Sequence, residues 1–150
     1  MKGTFSTSGF ADLDRALAEI EKTATAKAVM RRSLKKAAQP IADKAEAAAP
    51  RLTGALGESV AVSTKLSKRQ KALHRKMFKN DKAAVEMFVG AGPLSSAHNQ
   101  EFGNEHNSPQ PFMRPAWDAE AEPTLGRIGK EMWADIEKTA KRAAKKAAKG

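Results

Sequence analysis

Apolar residues recur along this chain at two different periods, and the change from one to the other marks out its elements. Phe10, Leu13, Leu17 and Ile20 follow Ser8 at intervals of three and four, the pattern of a capped helix with one apolar face. A second helical stripe runs through Met30, Leu34, Ala37, Ile41, Ala45 and Ala48. Pro40 interrupts it; proline lacks an N–H and crowds the preceding turn, so a kink or split is expected there, and Pro50 ends the run. Beyond the Thr53-Gly54 turn the period shortens. Val60, Val62, Thr64 and Leu66 alternate, and so do Val85, Met87 and Val89 within the apolar run from Ala83, before Gly90-Ala91-Gly92-Pro93 stops it. These predict two half-buried strands. The turn-rich stretch from Leu94 to Met113 leaves room for one short element over Ala97 to Phe102. Pro115 suits the first residue of a helix. Trp117, Ala121, Leu125, Ile128, Met132 and Ile136 then form a stripe, with Pro123 kinking it early and Gly126 and Gly129 weakening it.

Helix, strand, strand, short element, helix is an α+β order, with a small antiparallel sheet packed against a long N-terminal helix and a long C-terminal helix. Residues 1–8 read as a flexible polar start. At 150 residues a single domain is expected. Much of the 41% apolar content is alanine and aromatics are only 5%, so the core should be thin and open to completion by neighbouring subunits. Cysteine is absent, which excludes disulfides and thiolate metal sites. The N-terminus carries no apolar signal-like run, and no stretch reaches the roughly 18 apolar residues of a membrane span.

Candidate chemistry is sparse. His98, Glu101, Glu105 and His106 lie within nine residues, but their spacing matches no ligand motif. Ser95, Ser96 and His98 are adjacent without a G-x-S-x-G elbow, and Gly90-Ala91-Gly92 leads into Pro93 rather than into a phosphate-binding helix. No catalytic, cofactor or metal site is expected.

Charge is the more informative property. Lys and Arg number 27 against 17 Asp and Glu, a net +10, which favours anionic partners. One cluster runs from Lys65 to Lys82, with Asp81 the lone acid. Lys68, Arg69, Lys71, Arg75, Lys76 and Lys79 within it read as a docking arm or loop over 67–82, extended apart from one or two helical turns around Leu73 and Met77. The other cluster is the tail 138–150, where Lys138, Lys141, Arg142, Lys145, Lys146 and Lys149 follow Glu137 with no further acid; fraying is expected there. Phe78 is the only aromatic in the first cluster, so base stacking is not expected.

Trp117 and Trp133 stand about 160° apart on a straight helix, so that one can fill the core while the other meets a neighbour. Arg114 sits on backbone stiffened by Pro111 and Pro115 and is placed to pair with Glu101 or Glu105, in its own chain or the next.

The order of short motifs resembles the siphovirus neck and tail-completion family typified by the tenth gene product of a lambdoid phage. The matching residues are Pro50, Thr53, Gly54 and Leu56; Ser59 and Val60; Val89 and Gly90; Glu101, Phe102 and Gly103; and Pro111, Phe112, Arg114, Pro115 and Ala116. Two departures are Ala97-His98 where the family often has a tyrosine, and a longer basic segment. The resemblance implies a non-enzymatic head–tail connector component of the virion, assembled in the host cytoplasm. It also implies a homo-oligomeric ring, expected to be a hexamer, that joins tail to head and meets the head connector, tail terminator and tail tube. On that reading Glu101, Phe102, Arg114, Trp117 and Trp133 are interface residues, and Pro50, Thr53, Gly54, Gly103, Pro111 and Pro115 shape turns. A tail terminator of the same neck and a basic DNA-binding accessory protein are the alternatives.

Overall fold

A computed structural model describes residues 23–80 and 85–150. The helix expected over Ser8 to Ile20, the polar start, Asp81, Lys82 and the first residues of the second expected strand lie outside them. The order is α1 (Thr23–Ala48), α2 (Ala55–Glu58), β1 (Ala61–Ser63), α3 (Lys68–Met77), β2 (Phe88–Gly90), α4 (Ser95–Phe102) and α5 (Met113–Lys149). This is the expected α+β class: β1 and β2 pair antiparallel, with Val62 opposite Val89, beside a long helix at each end of the described chain.

The chain divides into two compact units, Ala38–Ala121 and the remainder. Ala38–Ala121 holds the larger core. Ile41, Leu56, Val60, Val62 and Phe112 are buried there with Ala38, Ala42, Ala45, Ala49 and Ala116. Half of these ten are alanine, so α1 and the start of α5 approach closely, and Phe112, 1% exposed, fills the centre. Lys44 of α1 pairs with the largely buried Glu120 of α5.

The other unit contains α1 up to Ala37 and α5 from Glu122. Its buried apolar cluster is Val29, Met132 and Ile136, flanked by Met30 and Ile128. A polar group sits beside it. Ser33 is fully buried and its hydroxyl lies 3.0 Å from both the Val29 carbonyl and an Asp135 carboxylate oxygen. Arg32 and Lys36 each reach within 3.8 Å of the same carboxylate. Arg127 donates to the Ala37 carbonyl at 3.2 Å, one turn before Pro40, and to the Thr124 hydroxyl at 2.7 Å.

Neither proline splits its helix: α1 runs through Pro40 and α5 through Pro123. Two expectations change. The inner faces are rotated by one position over part of each: Val29 and Ser33 are buried where Met30 and Leu34 were expected, and Ala116, Glu120 and Thr124 where Trp117, Ala121 and Leu125 were expected. The reason is common to both helices. Inner positions carry polar residues that find polar partners, Asp135 for Ser33, Lys44 for Glu120 and Arg127 for Thr124, and an apolar pattern passes over them. The first strand ends at Ser63, where the Ser63 hydroxyl accepts from the Lys65 N–H at 3.0 Å and turns the chain.

The basic segment between the strands is more ordered than an extended arm. α3 runs ten residues from a capping box, in which the Ser67 hydroxyl accepts from the Gln70 N–H and the Gln70 side chain accepts from the Ser67 N–H. That box satisfies two orphan donors reciprocally, and His74, Arg75 and Lys76 oppose the negative end of the helix dipole. The tail is helical to Lys149.

Candidate functional site

The most tightly built polar site among the described residues is the corner between α4 and α5. Glu101, in the last turn of α4, is 5% exposed. One carboxylate oxygen accepts from the N–H of Phe112 at 2.8 Å and of Met113 at 2.9 Å; the other accepts from the N–H of Arg114 at 3.0 Å. A helix start leaves four N–H groups without intrahelical partners. Here Glu101 takes three, and the fourth position is Pro115, which has no N–H. Every donor at the start of α5 is thereby settled by two residues. Pro115 is consequently the third residue of the helix rather than its first.

Arg114 completes the corner. Its Nε donates to the Glu101 carboxylate at 2.9 Å and its Nη2 to the Glu101 main-chain carbonyl at 2.8 Å. Its guanidinium lies 4.9 Å from the centre of the Phe102 ring, within cation–π range. Arg114 thus pairs with Glu101 of its own chain. Burial, the largest influence on Glu101, pushes its carboxyl upward, but the N–H bonds from Met113, Phe112 and Arg114 and the Arg114 side chain together outweigh it and hold the group below its usual value.

Gly103 allows the chain to leave α4. Its φ of 72° and ψ of 177° fall in a region that only glycine occupies readily, and a Cβ there would lie 2.9 Å from the Asn107 carbonyl and the Pro109 ring. The return is fastened where the Gln110 N–H donates to the Gln100 carbonyl at 2.7 Å. Pro111 follows on the exposed side. At the other predicted turn, Thr53 accepts from the Ala55 N–H at 3.4 Å and Gly54, with φ 78°, starts α2 after Pro50.

The expected interface residues therefore divide. Glu101 faces inward, and Phe102, Arg114 and Trp117 are brought to one exposed corner, with Phe102 56% and Trp117 58% accessible. Trp133 stands in the other unit, 40% accessible, and neither tryptophan fills a core. His98 lies 5.0 Å from the Phe102 ring, and Glu105 and His106 form an exposed adjacent pair. Among the described residues no group of three or more His, Cys, Asp or Glu converges as a metal site would require. On α3, Lys68, Arg69, Lys71, Arg75 and Lys76 are exposed, as is Lys79 beyond it, together with Leu73, Met77 and Phe78. His74 anchors this helix, 3.2 Å from Glu86 and edge-on to Phe88 of β2.

The cap role of Glu101 has no signature in sequence, because its partners are backbone groups 11 to 13 residues downstream. The Ser67-Lys68-Arg69-Gln70 box is different: S-x-x-Q before a helix is a readable start signal.

The geometry describes a fixed helix start that presents aromatic and guanidinium groups at the surface. Residues 11–103 match the family model for HK97-gp10-like proteins, described as "Bacteriophage HK97-gp10, putative tail-component". The chain belongs to that family, which makes it a phage tail component and places it in the virion. No curated protein and no solved structure matches it. The match contains Glu101, Phe102 and Gly103 and ends before the Pro111–Ala116 segment that the corner joins to them. No helix of the described residues is long and apolar enough to cross a membrane.

Proposed function

We propose that the chain is a head–tail connector component of the tail-completion type, a non-catalytic part whose copies close into a ring joining tail to head. The observation that carries this reading is the Glu101 corner. A buried carboxylate fixes the first turn of α5, and the fixed turn holds Phe102, Arg114 and Trp117 exposed. Arginine and aromatic residues on a rigid support are the residue types that dominate protein interfaces. A closed ring needs a heterologous contact, one patch against a different patch on the next copy, and the corner supplies one side of it.

Light scattering on the full chain, alone and with the tail tube and head connector proteins, tests this. A cyclic species of about six copies, lost in Trp117→Ala while circular dichroism is unchanged, supports it. A chain that stays monomeric with every neck and tail partner overturns it.

A further inference from the structure

The last three turns of α5 are built unlike anything else in the molecule. Lys138, Lys141, Arg142, Lys145, Lys146 and Lys149 follow one another at alternating steps of three and one, and at 100° per residue they fall within an arc of about 140°. The helix is continuous through all six, so the stripe is a structural fact and not only a composition. Ala140, Ala143, Ala144 and Ala148 occupy the remaining arc, and the described residues from Ala140 onward are all exposed. No acid follows Glu137. The stripe spans roughly 16 Å and carries one positive charge about every 3 Å.

From this stripe we infer a sequence-independent binding site for the phosphate backbone of duplex DNA. Three features select that partner. Protein interfaces are depleted in lysine and anchored by bulky apolar or aromatic residues, and this segment offers only alanine. Amphipathic helices that lie on membranes need Trp, Phe or Leu on the face opposite the basic one, which is likewise missing. Two such stripes repel each other, so the stripe of a second copy does not cover this one. Duplex DNA, with one negative charge per about 1.7 Å of axis, needs only point cations on a rod. Lysine at five of the six positions positions the backbone without reading bases. The inference rests on this helix alone and stands or falls independently of ring formation.

Fluorescence anisotropy of the full chain with a labelled duplex of about 20 base pairs, in two unrelated sequences, between about 50 and 300 mM salt, tests it. Equal affinity for both sequences is expected, with log affinity falling against log salt at a slope of about −5, or about 0.9 per phosphate contact. Replacing Lys141, Arg142, Lys145 and Lys146 by Gln, a good helix former, should reduce the slope by between about 3 and 4 with helicity retained by circular dichroism. Replacing Lys68, Arg69, Lys71 and Lys76 by Gln should leave the slope in place. No binding at about 50 mM salt, or a wild-type slope in the α5 variant, overturns the inference. So does equally tight binding to polyglutamate or to phosphatidylcholine–phosphatidylserine vesicles at matched salt, which would point to acidic proteins or to membranes.

Discussion

Ala38–Ala121 buries the Glu101 carboxylate and the other unit that of Asp135, and the two are held in opposite ways. In Ala38–Ala121, Glu101 is fastened mainly by backbone N–H groups, at 2.8 to 3.0 Å, fixed in space by the helix they begin. In the other unit, Asp135 is met by a serine hydroxyl at 3.0 Å and by two long cationic side chains at 3.8 Å. The first arrangement leaves few alternatives, since a cap must satisfy donors that no other group reaches. The second is adaptable: Arg32 and Lys36 are about half exposed, and a buried ion pair of that kind is often replaceable by well-packed apolar residues without loss. The buried charge is thus a fixed cap in one unit and an adaptable pair in the other.

The largest effect should come from Glu101→Ala. Three main-chain donors and Arg114 lose a charged acceptor, for an expected loss of about 3–5 kcal/mol, read by denaturant unfolding. A loss under about 1 kcal/mol would mean that water or a shifted helix start replaces the carboxylate, and the contrast between the units would collapse. Gly103→Ala should follow at about 1–3 kcal/mol from φ strain, increased by the contact with Pro109. Asp135→Ala should cost about 1–2 kcal/mol, whereas the paired change Ser33→Ala with Asp135→Leu should return to within about 1 kcal/mol of the parent. Failure of that pair to recover would make Asp135 as strict as Glu101. Arg114→Ala should be smallest for folding, about 1 kcal/mol, because the guanidinium is about half exposed, and should show itself chiefly as impaired assembly.

Acid sharpens the same contrast. The folded Glu101 carboxyl lies below its ordinary value of 4.5. Its contribution is therefore complete above that pH and disappears as pH falls through the lower, folded value. Thermal unfolding followed from neutral pH downward should show a loss below about pH 4 that is reduced in Glu101→Gln. Parallel curves for the two proteins would remove Glu101 from the acid response.

The sequence disclosed the fold class, the Thr53-Gly54 turn and the placing of the two strands through periodicity and glycine chemistry alone. It disclosed less about helix faces. Ser33, Glu120 and Thr124 are buried polar residues, and each stands one position from the apparent apolar stripe, held by a polar partner that an apolar pattern does not register. The start of α3 was legible in Ser67 and Gln70. The Glu101 corner was half legible: charge and stiff backbone left Glu101 as one of two partners for Arg114, but the capping of α5 was not legible, since backbone donors have no letter in the sequence.

The closure of the first turn of α5 also decides where that helix can receive an anion. A helix usually admits phosphates and carboxylates at its N-terminus, where free N–H groups and the positive end of its dipole converge. At Phe112–Pro115 that doorway is already shut from inside by Glu101. The opposite end, which by its dipole should repel anions, carries six cations instead. Along α5 the customary address for negative charge has been moved from the head of the helix to its tail.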